Sequence, residues 1–338
     1  MSDSSAPVSR SALITAFAAI YLVWGSTYLA IRVAVETIPP FMMGAARFLV
    51  SGILLYGFLW FTKRIRPTAR QWLDNSIVGF FLMLGGNGLV CWAEQKVPSS
   101  MATLMVSLGP VVVVLLDWAV LAIWKDTKRG ARPTIITFFG LLLGITGLGL
   151  LVGPDVLHGG GVTGLDWLHV GALVLACVLW STGSLVSRYA KNPAEPFTAS
   201  AIQMLTGSMW LFAMSLLMGE TSHFEFAAVT ARSFWAWSYL TTVGSLVGFT
   251  AFIWLMKHST PARVYTYTYV NPIVAVFLGW LILHEPVSSR MLVASAVIIA
   301  GVAIITAAKT KKTPAPAPTP PPNPQSNLLG YSSPRTPL

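Results

Sequence analysis

The 338-residue chain is 54% hydrophobic and only 10% charged, against about 25% charged in an ordinary soluble domain, so it cannot clothe a water-facing surface. A mean hydropathy of +0.67 likewise excludes a disordered or collagen-like chain and leaves a polytopic membrane protein. The formal charge of +10 does not argue for nucleic acid, because the basic residues fall in short clusters between apolar runs, which is the pattern of membrane topology.

The predicted elements are ten apolar runs of bilayer-spanning length, at about 11–32, 40–61, 71–94, 98–124, 133–152, 166–187, 198–218, 232–256, 261–283 and 288–308. The first follows a short polar start and carries Trp24, Tyr28 and Arg32, so it is a retained span and not a cleaved signal peptide. Arg47 lies well inside the second, where an ionisable group is a functional candidate. It either grips a substrate carboxylate or is the structural ion-pair partner of Glu94 or Glu36. On the third, Asn87, Cys91 and Glu94 share a face, with Glu94 near the outer edge.

In the fourth, Thr103, Ser107, Pro110 and Asp117 follow a spacing that puts them on one helical face. Asp117 either carries a coupling proton, guards the inner gate or merely snorkels to the surface. The fifth carries Gly140 and Gly144, continued by Gly147 and Gly149, and the tenth carries Ala296 and Ala300. These small residues favour close helix packing, either within the chain or between the protomers of a homodimer. The ninth is crowded with Tyr265, Tyr267 and Tyr269 ahead of Asn271 and Pro272. Trp24, Trp180, Tyr265 and Tyr269 lie too deep to be interface-belt residues. They either line an amphipathic cavity or pack the core. Cys91 and Cys177 fall in apolar runs as buried, inert thiols, with no disulfide or metal site implied. Beyond residue 308 the tail holds nine of the 22 prolines and reads as a disordered extension.

The two halves repeat. Trp24, and Pro40-Phe41, recur as Trp180, and Pro196-Phe197, at a shift of 156, with Ser26 answered by Ser181 one position out of register. Arg70, Trp92, Gly109-Pro110 and Trp118 recur as Arg232, Trp254, Asn271-Pro272 and Trp280, at a shift of 162. Each repeat has five spans, an odd number, so the second enters the membrane inverted, as in many secondary transporters. Pro110 and Pro272 each free a carbonyl four residues back, Val106 and Thr268. The prolines either open backbone toward a central cavity or kink the helices for packing. With the N-terminus inside, 17 of the 22 Lys and Arg residues are cytoplasmic, which places both termini in the cytoplasm. No GxxxxGK[ST], HExxH or GxSxG occurs in the sequence, so the enzyme reading has little support, and a passive channel is the better rival to a carrier.

Three stretches, WGSTYLAIRVAVETIPPFMMGAARFLVSGILL (24–55), GNGLVCWAEQKVPSSMATLMVSLGP (86–110) and YTYVNPIVAVFLGWLILHEP (267–286), are similar to the drug/metabolite transporter superfamily. Within it the chain resembles the ten-span EamA family, in the YedA-like branch, over residues 11–308. The resemblance implies an all-α polytopic membrane protein of ten helices in two inverted five-helix repeats, spanning 11–152 and 166–308 between a cytoplasmic start (1–10) and the proline-rich tail (309–338). It also implies export of small metabolites, such as amino acids, nucleosides or toxic compounds, across the bacterial inner membrane, with no cofactor. Trp24, Arg47, Asn87, Glu94, Pro110, Asn271, Pro272 and Glu285 occupy recurrent family positions, whereas Asp117 stands where a small or hydroxylated residue is usual. The resulting site comprises Trp24, Tyr28, Arg47, Asn87, Ser107, Trp180, Tyr265 and Tyr269 for substrate, Pro110, Asn271 and Pro272 as hinge, and Glu94 and Asp117 as gate or coupling groups. The expected partners are a small-molecule solute and the lipid bilayer.

The charge bias yields a topology test. Cysteines placed at Arg64, Arg129 and Gly160 should label with an impermeant maleimide in intact cells at residue 160 alone. Labelling at 64 or 129 would overturn the orientation.

Overall fold

The structure is a computed structural model and describes residues 9–124, 134–157, 166–188, 194–259, 264 and 266–310. Those residues are largely helical and contain no strand. The helices are α1 (Arg10–Ala34), α2 (Pro40–Lys63), α3 (Ala69–Ala93), α4 (Ser99–Val106 and Gly109–Trp124), α5 (Ile135–Leu157), α6 (Trp167–Arg188), α7 (Pro196–Leu217), α8 (Ala231–His258), α9 (Tyr267–Leu283) and α10 (Ser289–Thr310). Seven are long and apolar enough to cross a membrane, and the apolar parts of α5, α9 and α10 (Ile135–Leu151, Val270–Leu283, Ser289–Ile305) are shorter.

Local chemistry sets the helix ends. Ser9 caps α1 by accepting from the Ala12 amide at 3.1 Å. Pro40 opens α2 at the first helical position, where its missing N–H costs nothing. Thr68 and Gln71 form a reciprocal capping box on α3. The Glu195 carboxylate accepts from Phe197 N and Thr198 N at the start of α7.

The fourth span departs from expectation. Its helix breaks at Ser107–Leu108, so the single face proposed from Thr103 through Asp117 does not run through the break. Pro110 is the second residue of the second segment, a position that tolerates proline. Pro272, by contrast, lies inside the continuous helix α9. Two sequence-equivalent prolines thus sit on different backbones. The Val106 carbonyl, expected to be freed, lies 3.9 Å from the Cys177 thiol of α6.

The inverted repeat is visible in the packing. α1 and α6 are equivalent, as are α4 and α9. A methyl on Gly25 of α1 would stand 3.4 Å from the Asn271 carbonyl of α9, and Ser181 of α6 donates to the Gly109 carbonyl of α4 at 3.4 Å. Residue 25 maps to 181 and 109 to 271, so these are one contact made twice. α5 packs its glycines against α10: a methyl on Gly140 would meet the Gly301 carbonyl at 2.8 Å, and one on Gly147 would meet the Ile298 amide at 3.0 Å, whereas Ala296 and Ala300, expected on the packed face, are exposed.

A methyl on Gly149, on the same helix as Gly140, would meet nothing within 4 Å among the described residues. Gly140→Val should therefore cost about 1–3 kcal/mol of overpacking and lower the melting temperature of the purified protein by several degrees. Gly149→Val should leave it nearly unchanged, since both substitutions carry the same intrinsic change in helix propensity and only the first meets a neighbour.

Candidate functional site

Two stretches depart from α-helical geometry, Phe80–Gly88 within α3 and Leu240–Val247 within α8, and both are π-helical. At the shift of 162 the first maps onto residues 242–250 and overlaps the second, so the two lie at equivalent places in the repeats. π-Helix is rare and concentrates at functional sites. Asn87 sits in the first stretch and donates from Nδ2 to the Leu82 carbonyl five residues back at 3.3 Å.

Each π segment receives a tryptophan from the opposite repeat. Trp180 of α6 lies on Gly86, where a methyl would come within 2.5 Å of the ring. Trp24 of α1 lies on Gly248, directly after the second π segment, and is closer still. Trp24 maps to Trp180 and Gly86 to Gly248, so the two contacts are mates under the inverted symmetry. Trp24 is further fixed edge-on to Phe249 (5.7 Å) and Tyr267 (4.9 Å) and tilted against Phe252 (5.2 Å). Between the two sequence readings for Trp24, ring packing is what the structure displays.

Arg47 is 4% exposed and donates from Nε to Ser245 Oγ at 3.0 Å, in the second π segment. Its guanidinium carbon lies 4.8 Å over the Phe48 ring, and Nη1 is buried without a hydrogen-bond partner. One turn on, Ser51 donates to the Thr241 carbonyl at 2.9 Å, so α2 is stitched to α8 twice. The expected structural ion pairs of Arg47 are not formed. Glu36 faces Arg232 at 3.8 Å. Glu94 is wholly buried, neither carboxylate oxygen finds a hydrogen bond, and Arg32 donates to the Glu94 backbone carbonyl instead of its side chain.

Tyr28 lies beside Thr103 of α4 and Glu94 at the end of α3. Asn271 is buried with Oδ1 unpartnered. The Ser107 hydroxyl is spent on the Leu104 carbonyl of its own helix at 2.7 Å. Tyr265 and the side chains of Asp117 and Tyr269 lie outside the described residues. Ser245 and both π segments were not singled out in the sequence, although Gly85-Gly86 and Gly244 with Gly248 are the interruptions that mark them.

The end of the bundle that carries the α1–α2 turn is tied across the repeats. Glu220, in the single turn Glu220–His223 after α7, accepts from Phe41 N (3.2 Å) and Met42 N (2.8 Å) at the N-terminus of α2. Glu285, just beyond α9, accepts from Ser99 N (2.8 Å), Ser99 Oγ (2.8 Å) and Ser100 N (3.0 Å) at the N-terminus of α4. Both carboxylates complement the positive ends of helix dipoles from the other repeat. Ser233 Oγ to the Val33 carbonyl (2.9 Å) and Thr230 N to Thr37 Oγ1 (3.2 Å) complete the join. A cleft of about 370 Å³ lies at this end, bordered by Glu36, Trp92, Gln95, Glu220 and His223.

The EamA-like transporter family matches this chain over residues 10–153 and again over residues 167–307. The chain belongs to the EamA-like transporter family. Among relatives of this EamA protein, the uncharacterized inner membrane transporter YedA of Escherichia coli K12 is 32% identical over 299 residues, 88% of this chain and 91% of YedA. The uncharacterized transporter YoaV of Bacillus subtilis is 20% identical, over 84% of this chain and 92% of its own. A chloroplastic WAT1-related protein of Arabidopsis thaliana is 23% identical, over 84% and 67%. A protein crystal structure at 21% identity shares the fold, with a TM-score of 0.58 over 88% of this chain and 98% of that one. This EamA protein is thus a membrane transporter of two repeats.

The contacts of Arg47 give a stability test. Arg47→Ala and Glu94→Gln should have effects on unfolding that add within about 0.5 kcal/mol, because the side chains share no contact. Arg47→Ala and Ser245→Ala should fall short of additivity, because each removes the same hydrogen bond. Strong coupling of residue 47 to 94 in a double-mutant cycle would contradict the geometry.

Proposed function

We propose that this EamA protein is a multi-pass inner-membrane secondary exporter of small amphipathic metabolites, amino acids or related compounds, working by alternating access. In this reading all ten helices span the bilayer and both termini are cytoplasmic, in line with the Lys and Arg bias of the connecting segments. YedA, the inner-membrane relative, supports the location.

The observation that carries the proposal is the crosswise docking of Trp24 and Trp180 on repeat-equivalent π segments. Inverted repeats that grip each other through equivalent contacts can exchange conformations, and that exchange turns a site from one face to the other. The substrate path runs between the repeats, bordered by Trp24, Tyr28, Arg47, Asn87 and Trp180. The Glu220 and Glu285 caps then close the periplasmic end. Glu94 gates it from beneath, while the break at Ser107–Leu108 and the region of Asn271-Pro272 flex. Proline-bearing helices at corresponding positions of two inverted repeats point to the substrate site of such transporters.

The test is counterflow in proteoliposomes. Vesicles loaded with unlabelled phenylalanine should accumulate external labelled phenylalanine transiently and saturably. Gly86→Val and Gly248→Val should each abolish the overshoot, because neither segment can then seat its tryptophan. Flux that rises linearly with concentration and shows no overshoot would instead indicate a channel.

A further inference from the structure

Arg47 holds a positive charge within the helix bundle with no acid against it. Its only side-chain hydrogen bond among the described residues is to neutral Ser245, and Nη1 is buried and unpartnered. Burying an unpaired cation is costly, and within a membrane protein such groups pair with one another or with what passes through. Both acids offered by the sequence, Glu36 and Glu94, are elsewhere engaged or turned away.

The guanidinium lies against a glycine. A methyl on Gly244 of α8 would stand 3.5 Å from Arg47 Nη2 and 3.3 Å from Thr27 Cγ2 of α1. Gly244 therefore leaves the fork uncovered by any side chain at that position, where α1 and α2 of the first repeat meet α8 of the second. Because Nε is held by Ser245, the free edge of the fork is the Nη1–Nη2 side, whose two parallel donors match the two oxygens of a carboxylate.

We propose that Arg47 is a carboxylate-binding group, so that the solutes carried are small carboxylates and not amines or other cations. The inference rests on the exporter reading and narrows its substrate class. A carboxylate docked there supplies the missing negative charge. Its seat between the repeats lets the empty and occupied molecules differ in how easily the repeats part.

The probe is benzoate, with benzamide and benzylamine as neutral and cationic counterparts of the same size. Purified protein in detergent should bind labelled benzoate, displaceably by phenylalanine, and neither counterpart should compete. Arg47→Lys, which keeps the charge and loses the fork, should fold normally and weaken benzoate binding severalfold. Gly244→Val should block binding by covering the fork.

Absence of benzoate binding, equal competition by all three compounds, or undiminished binding by Arg47→Lys would each overturn the assignment. Counterflow separates this failure from failure of the exporter reading. Saturable counterflow of benzylamine or benzamide in place of benzoate would keep the exporter and remove the carboxylate. No saturable counterflow of benzoate, its counterparts or phenylalanine would remove the exporter reading and this inference with it.

Discussion

A tryptophan ring laid on a glycine joins the two repeats twice, and most of the site depends on that contact. Trp24 can reach Gly248, and Trp180 can reach Gly86, only because the glycines lack a Cβ and the helices beneath them are widened into π turns. Regular α-helix would rotate the residues that follow by a fraction of a turn and present different side chains to the interface. The π segment in α8 therefore also determines where Ser245 meets Arg47 and where Gly244 leaves it uncovered. Helix geometry, interface and polar site follow from one local departure, made in both repeats.

Polar groups sit in this bundle in two different conditions. At the end bearing the α1–α2 turn, the Glu220 and Glu285 carboxylates each accept two or three hydrogen bonds from a helix N-terminus, which is among the better environments for a negative charge away from water. Arg47 Nη1, both Glu94 oxygens and Asn271 Oδ1, by contrast, have no hydrogen-bond partner among the described residues. Buried polar atoms are nearly always satisfied, so each unsatisfied one calls for an explanation. The first set fastens the repeats, and the second leaves bonding capacity unused between them.

The sequence made the architecture legible and the chemistry only partly so. Hydropathy and composition located every long helix because membrane burial imposes a long apolar signal. The repeat could be read from Trp24 and Trp180 and from Gly109-Pro110 and Asn271-Pro272. Arg47 and Glu94 are visible as ionisable residues in apolar surroundings, but their mutual pairing, one of the alternatives the sequence leaves open, is not what the packing gives. The π segments escaped because their signature is a single extra residue per turn, which glycine content hints at without specifying. Glu220 was invisible for another reason. It accepts from an amide 179 residues earlier in the chain, and no local pattern encodes so distant a partner.

The departures from symmetry matter as much as the symmetry. Pro110 follows a helix break at Ser107–Leu108, while its mate Pro272 lies inside an unbroken α9. Two halves of nearly equivalent sequence therefore occupy different backbone states at the same position of the fold. A perfectly two-fold arrangement would present equal faces to both sides of a membrane and have no orientation. Here the helix is broken in one repeat and continuous in the other, and the end bearing the α1–α2 turn carries Glu36 and Glu94, whose repeat mates are Asn192 and Met256. In the alternating-access proposal, weakening the fastened end while the break passes from α4 to α9 gives the opposite orientation from the same contacts. The crosswise Trp–Gly pairs can persist through that exchange, because under the inverted symmetry they map onto each other.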